Sequence, residues 1–79
     1  MITAEQIRGA RAMLRWSAKK LAEESSLSWP TIQRMESAVG VPSGLSKNLD
    51  LVQRALEQEG IIFIDEDDEG PGVRLRKIG

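Results

Sequence analysis

Two clusters of side chains in this chain could do chemistry on a partner. Lys19 and Lys20 follow Ser17, and Trp29, Pro30, Thr31, Gln33 and Arg34 follow Ser28. Ser17 reads as the cap of a helix, so both lysines fall in its first turn. A cation there opposes the helix dipole, at a cost of roughly 0.3–1 kcal/mol each. A bound phosphate would remove the conflict, because it meets the dipole, the free N–H groups and the ammonium groups together. The plain alternative is two exposed lysines tolerated at small cost, and the direction of Lys20 around the helix is the less defined of the two. In the second cluster, a glutamine such as Gln33 can pair with an adenine edge, and an arginine such as Arg34 with guanine or phosphate. Trp29 has two readings. It either offers an apolar contact in a groove, as to a thymine methyl, or packs beneath the loop that follows its helix.

The rest of the composition narrows the classes. The sequence has no cysteine and no histidine, which removes disulfides, thiolate or histidine metal sites, and Cys or His nucleophile–base pairs. The run Asp65-Glu66-Asp67-Asp68-Glu69 could attract a hard cation, but acids crowded in one turn without an ordered scaffold make a poor catalytic site. An enzyme is therefore not expected, nor a cofactor or a small-molecule ligand. The start of the chain lacks the pattern of a signal peptide, and no apolar run approaches the ~18 residues of a membrane span. A cytoplasmic protein without membrane partners is the expectation.

The net charge is −1, yet the charge is unevenly distributed. Residues 1–49 hold seven basic residues (Arg8, Arg11, Arg15, Lys19, Lys20, Arg34, Lys47) against four acidic ones (Glu5, Glu23, Glu24, Glu36), a balance of +3. The acid is concentrated in 65–69, which reads either as a solvated turn or as the far end of a polarised molecule.

The elements that must position these residues follow a repeated grammar. Thr3 and Gln6 form a capping box, with Ile2 and Ile7 as hydrophobic staple. Trp16-Ser17 before Leu21 and Leu27-Ser28 before Ile32 repeat the order of staple and cap. Pro30 is harmless in a first turn, where the N–H has no intrahelical partner. Helix one carries Ile7, Ala10, Met13 and Leu14 at helical spacing. Only Ser25-Ser26-Leu27 separates helices two and three, the spacing of a helix-turn-helix. After a loop from Ser37 to Gly44, helix four is expected from Ser46 to Glu59, with Leu45, Leu49, Val52 and Leu56 on one stripe and Gly60 as the stop. Strands are expected over Ile61–Ile64 and Val73–Arg76, joined by the acidic turn and Gly70-Pro71-Gly72. The expected fold is mainly α: a compact four-helix helix-turn-helix domain over residues 1–59, then a short C-terminal β-hairpin extension over 60–79.

Arg11, the segment Ser17-Ala18-Lys19-Lys20-Leu21-Ala22-Glu23, and the segment Leu27 to Glu36 together resemble the XRE family, the phage lambda-type repressor and Cro helix-turn-helix proteins of bacteria and phages. The resemblance covers roughly Ile2 to Leu56 and is carried by Leu21-Ala22, Thr31-Ile32 and Glu36 at their mutual spacing, with Arg11 upstream. It implies that the helix of residues 28–37 enters the DNA major groove. It places base-reading positions at Trp29, Pro30, Thr31 and Gln33 with Arg34 close by, and phosphate positions at Ser17, Lys19, Lys47 and Asn48. Ser28 and Lys20 join the phosphate candidates. The resemblance further implies a buried ion pair between Arg11 and Glu36. The sequence departs from the family in two places: Ala18 stands where a glutamine is usual, and Ser26 where a glycine is usual.

These readings make sequence-specific binding of double-stranded DNA, as a transcriptional regulator, the leading expectation. Ala18 and the low overall charge favour a rival, a helix-turn-helix scaffold that recognises a protein partner such as RNA polymerase or a toxin. Stability logic adds a homodimer. A lone hairpin is marginal in water, and Ile61-Ile62-Phe63-Ile64 is apolar on both faces. Pairing of Ile61, Ile62, Phe63, Ile64, Val73 and Leu75 with a second copy would cover the strand and set two reading helices ~34 Å apart. The alternative is a hairpin that folds back onto its own helix four.

Overall fold

The computed structural model describes residues 1–77 and is mainly α, with four helices followed by a two-stranded antiparallel hairpin. The helices are α1 (Ala4–Leu14), α2 (Ala18–Ser25), α3 (Trp29–Glu36) and α4 (Ser46–Gln58), and the strands β1 (Ile61–Ile64) and β2 (Gly72–Leu75). Residues 78 and 79 of the expected hairpin segment lie outside the described residues. Among the described residues no helix is long and apolar enough to cross a membrane.

The starts of α1, α2 and α3 are where the caps put them. Thr3 Oγ1 accepts from the Gln6 backbone N–H at 3.1 Å while Gln6 Oε1 accepts from the Thr3 N–H at 2.8 Å, so two first-turn donors are satisfied reciprocally. Ser17 Oγ accepts from Lys20 N–H at 3.0 Å and Ser28 Oγ from Thr31 N–H at 3.3 Å. α2 ends at Ser26 with φ 60°, the left-handed conformation in which an L side chain is strained and glycine is not. That single residue reverses the chain quickly enough for α3 to start at Trp29. α1 ends the same way at Arg15, φ 58°.

The core gathers one face of every element. Ile7, Leu21, Ile32, Val52 and Leu56 are fully buried, and Ile2, Leu49 and Ile61 nearly so. Leu14, Trp16, Leu27, Phe63 and Val73 pack against them. Two expected stripe positions are not in the core. Met13 is exposed, since the face of α1 that meets its neighbours is centred on Ile7 and Ala10. Leu45 is 70% exposed because it precedes α4 as its cap residue and never joins the helical stripe. α4 closes at Gln58, one residue before the expected end, and β2 spans Gly72–Leu75, one residue earlier than expected.

The hairpin is part of the same core. In the register Ile61↔Leu75, Ile62↔Arg74, Phe63↔Val73 and Ile64↔Gly72, opposed residues share a face of the sheet. Ile61, Phe63 and Val73 face the core, leaving Ile62, Ile64 and Arg74 on the other side. β2 lies against α1 and β1 against α4, so the hairpin covers two helices of its own chain, where the alternative to a dimer contact named helix four alone. Gly9 allows the close approach: a Cβ there would stand 3.3 Å from Val73 Cγ2. The buried Gln6 side chain completes the contact, its Nε2 donating to Ile64 O at 3.1 Å and Gly72 O at 2.8 Å.

Candidate nucleic-acid interface

α3 is held at its C-terminal end by two arginines one turn apart on α1. Arg11 Nε donates to Glu36 Oε2 at 2.8 Å and Nη2 to Oε1 at 3.1 Å, a fork-to-fork pair, while Nη1 donates to Trp16 O at 3.0 Å. The Glu36 side chain keeps 10% of its surface and Arg11 26%, so the pair is largely withdrawn from water and well satisfied. Arg8 Nη1 donates to the Glu36 backbone carbonyl, one of the acceptors that every helix C-terminus leaves open. Arg8 also stands 3.7 Å from Glu5. Arg11 and Glu36 thus meet as the resemblance implied. Arg8 was missed; its only signal in the sequence is the i, i+3 spacing to Arg11, which puts both on one face.

Glu5 extends this bracing to the loop after α3. Its carboxylate accepts from Gly40 N–H at 3.1 Å, and Ala4 N–H donates to Gly40 O at 2.8 Å. Bonds from its own backbone N–H and that of Gly40, together with the Arg8 charge, hold the Glu5 carboxyl below the usual carboxylate range against the opposing effect of desolvation.

So braced, α3 presents Trp29, Pro30, Gln33 and Arg34 to solvent. The helix forms a ridge between two depressions. The first, about 720 Å³, lies toward the start of α2 and is lined by Ser17, Lys19, Trp29 and Gln33 with Arg8 and Arg11 behind. The second lies toward the start of α4 and is lined by Thr31, Arg34, Leu45 and Asn48. Gln33 and Arg34 make no side-chain hydrogen bond or ion pair among the described residues.

The remaining candidates divide. Lys19 Nζ lies over the Trp29 ring, 5.1 Å from its centroid. Lys20 Nζ is 3.4 Å from Glu24 Oε2 and 5.9 Å from the Trp16 ring centroid, so it is paired within its own helix and lines neither depression. Thr31 is half-buried with its hydroxyl 2.8 Å from Ser28 Oγ, which occupies both groups in the cap. Lys47 is exposed on the first turn of α4, and Pro30 and Lys47 line neither depression. Trp29 is 43% exposed, so it is not packed beneath the loop after α3; it flanks the first depression under the Lys19 ammonium. Of the residues considered for a dimer contact, Ile61, Phe63 and Val73 are turned to the chain's own core, Ile62 and Ile64 are half-buried on the outer face, and Leu75 is exposed at the end of β2. The five acids of 65–69 are all exposed.

A scan against protein-family models finds no match for this chain, and a search of curated proteins finds none.

Proposed function

We propose that the chain binds double-stranded DNA at specific sequences as a transcriptional regulator, with α2 and α3 acting as a helix-turn-helix of the lambda-repressor type. The observation that carries this reading is the pairing state of the α3 side chains. Glu36 and the end of the helix are locked to α1, while Gln33 and Arg34 are exposed with no side-chain partner among the described residues. A rigid helix with unspent bidentate groups suits the base edges of a major groove. The depressions on either side suit the two sugar–phosphate backbones. Ser17 and Lys19 would meet one at the start of α2, and Lys47 and Asn48 the other at the start of α4. Lys20, tied to Glu24, contributes less. Two copies of the chain on an inverted repeat, their α3 helices ~34 Å apart, complete the reading, with Ile62 and Ile64 the hairpin side chains left free to meet a second copy.

Selection of bound sequences from a random duplex pool, followed by titration at two salt concentrations, tests this. The expected result is a selected inverted repeat whose affinity falls steeply with salt. No selected sequence and no salt dependence would overturn it and leave the rival reading, a scaffold that recognises a protein.

A further inference from the structure

We propose that Trp29 acts on DNA in two ways at once: it positions Lys19 for a phosphate, and it meets a thymine methyl beside the adenine read by Gln33. The inference rests on the DNA-binding reading above and names the base step that Trp29 and Gln33, on the α3 ridge, would select.

Three observations carry it. Trp29 is 43% exposed, a large apolar side chain that the core does not use, at the first position of the outward helix. Lys19 Nζ stands 5.1 Å from its ring centroid, within the ~6 Å at which a ring quadrupole attracts a cation. Gln33 follows one turn later and lines the same depression as Trp29, Lys19 and Ser17.

The consequences follow from geometry. A lysine in the first turn of α2 is free to sweep a wide cone unless something holds it. The Trp29 ring holds it beside the Ser17 cap, where the open N–H groups of α2 also point. A phosphate arriving there meets an ammonium group already in place, with less side-chain freedom to lose. Lys19 lies over one face of the ring, and Trp29 also lines the depression with 43% of its surface exposed. A major groove offers one apolar group to such a surface, the thymine methyl, and side chains one turn apart on a helix reach neighbouring base positions. Gln33 on adenine and Trp29 on a nearby thymine methyl together favour an A·T-containing step. Ala18, beside them in the depression, is too small to fill the space that the ring uses.

The test uses the full chain and the duplex obtained by selection, with each thymine replaced in turn by deoxyuridine, which removes only the methyl. Wild type should lose about fourfold in affinity at one position, the worth of one buried methyl group. Trp29→Ala should bind the thymine and uracil duplexes alike. Trp29→Leu should lower affinity for random-sequence duplex about threefold by releasing Lys19, and Trp29→Phe should restore it. In the free protein, the Lys19 methylene protons should show an upfield ring-current shift that Trp29→Leu abolishes and Trp29→Phe largely retains. If the chain binds its duplex yet no uracil position matters, or Trp29→Leu binds random-sequence duplex as tightly as wild type, this inference fails while the DNA reading stands. A chain that binds no duplex removes both, even if the ring-current shift is present.

Discussion

Gln6 and Gln33 are the same residue type in two regions of one small molecule, and so are Arg11 and Arg34. Gln6 is buried, with its amide bonded to Thr3, Ile64 and Gly72. Arg11 is bonded to Glu36 and to Trp16. Gln33 and Arg34 are exposed and unpaired among the described residues. The α1–hairpin region thus spends its polar groups inward, and the α3 ridge turns its own to solvent. Residue type alone does not separate a structural amide or guanidinium from one open to solvent; the pairing state does. A buried donor stripped of its acceptor costs the full desolvation of the group, while an exposed one costs almost nothing until a partner arrives.

The comparison makes graded predictions. The largest concerns Glu36→Gln, which strands the Arg11 charge and should cost about 3 kcal/mol of stability in a urea titration. A midpoint at the wild-type value would show that the pair is too hydrated to matter. Next, Gln6→Ala should cost about 2 kcal/mol, with hydrogen-exchange protection lost first at Ile64 and Gly72. Uniform loss across the chain would mean that Gln6 acts through its cap alone. Gln33→Ala and Arg34→Ala should change stability by no more than about 0.5 kcal/mol, yet each should lower affinity for the selected duplex by about 1–3 kcal/mol at one or two base positions. If they destabilise the free protein instead, the two regions do not differ as described.

The smallest effect is that of Glu5. Its carboxyl is held low in the folded state, so its contribution is present above the unfolded carboxylate pKa and lost as pH falls through the folded value. The stability of wild type should therefore decline more between neutral pH and about pH 3 than that of Glu5→Gln. Parallel pH profiles for the two would show that the bond to Gly40 is not kept in solution.

Local grammar made most of the helical framework legible in the sequence. Thr3, Ser17 and Ser28 each act on a donor three residues away, so their signal lies within a single window. The left-handed turn at Ser26 was legible only as a place where glycine would be easier. The strands were found to within a residue because the apolar run Ile61–Ile64, and the alternation of Val73 and Leu75 with Arg74 and Arg76, lie between turn signals. What the sequence hid was long-range. Gln6 reads fully as a capping residue, and nothing nearby announces that its other end reaches the hairpin. Gly9 reads as a weak spot in a helix until Val73 is placed over it. Leu45 fits an apolar stripe by spacing but precedes the first turn of α4. Lys19 and Lys20 look alike in sequence and part company only through Trp29 and Glu24. Hydrophobicity named Ile61 to Ile64 as a surface in need of cover, and the cover proved to be partly the chain itself.

The bonds from Gln6 to Ile64 and Gly72 join residues 58 and 66 positions apart. Contacts of that separation close late, because the loop entropy is spent before the contact gives anything back. α1 is synthesised long before the segment that receives its amide. Until the hairpin arrives, the nascent bundle carries a wet glutamine and an unfilled notch over Gly9. Folding of this chain should therefore end where it began, at its first helix. A fragment cut after α4 would leave the Gln6 amide without Ile64 and Gly72 and would uncover Gly9.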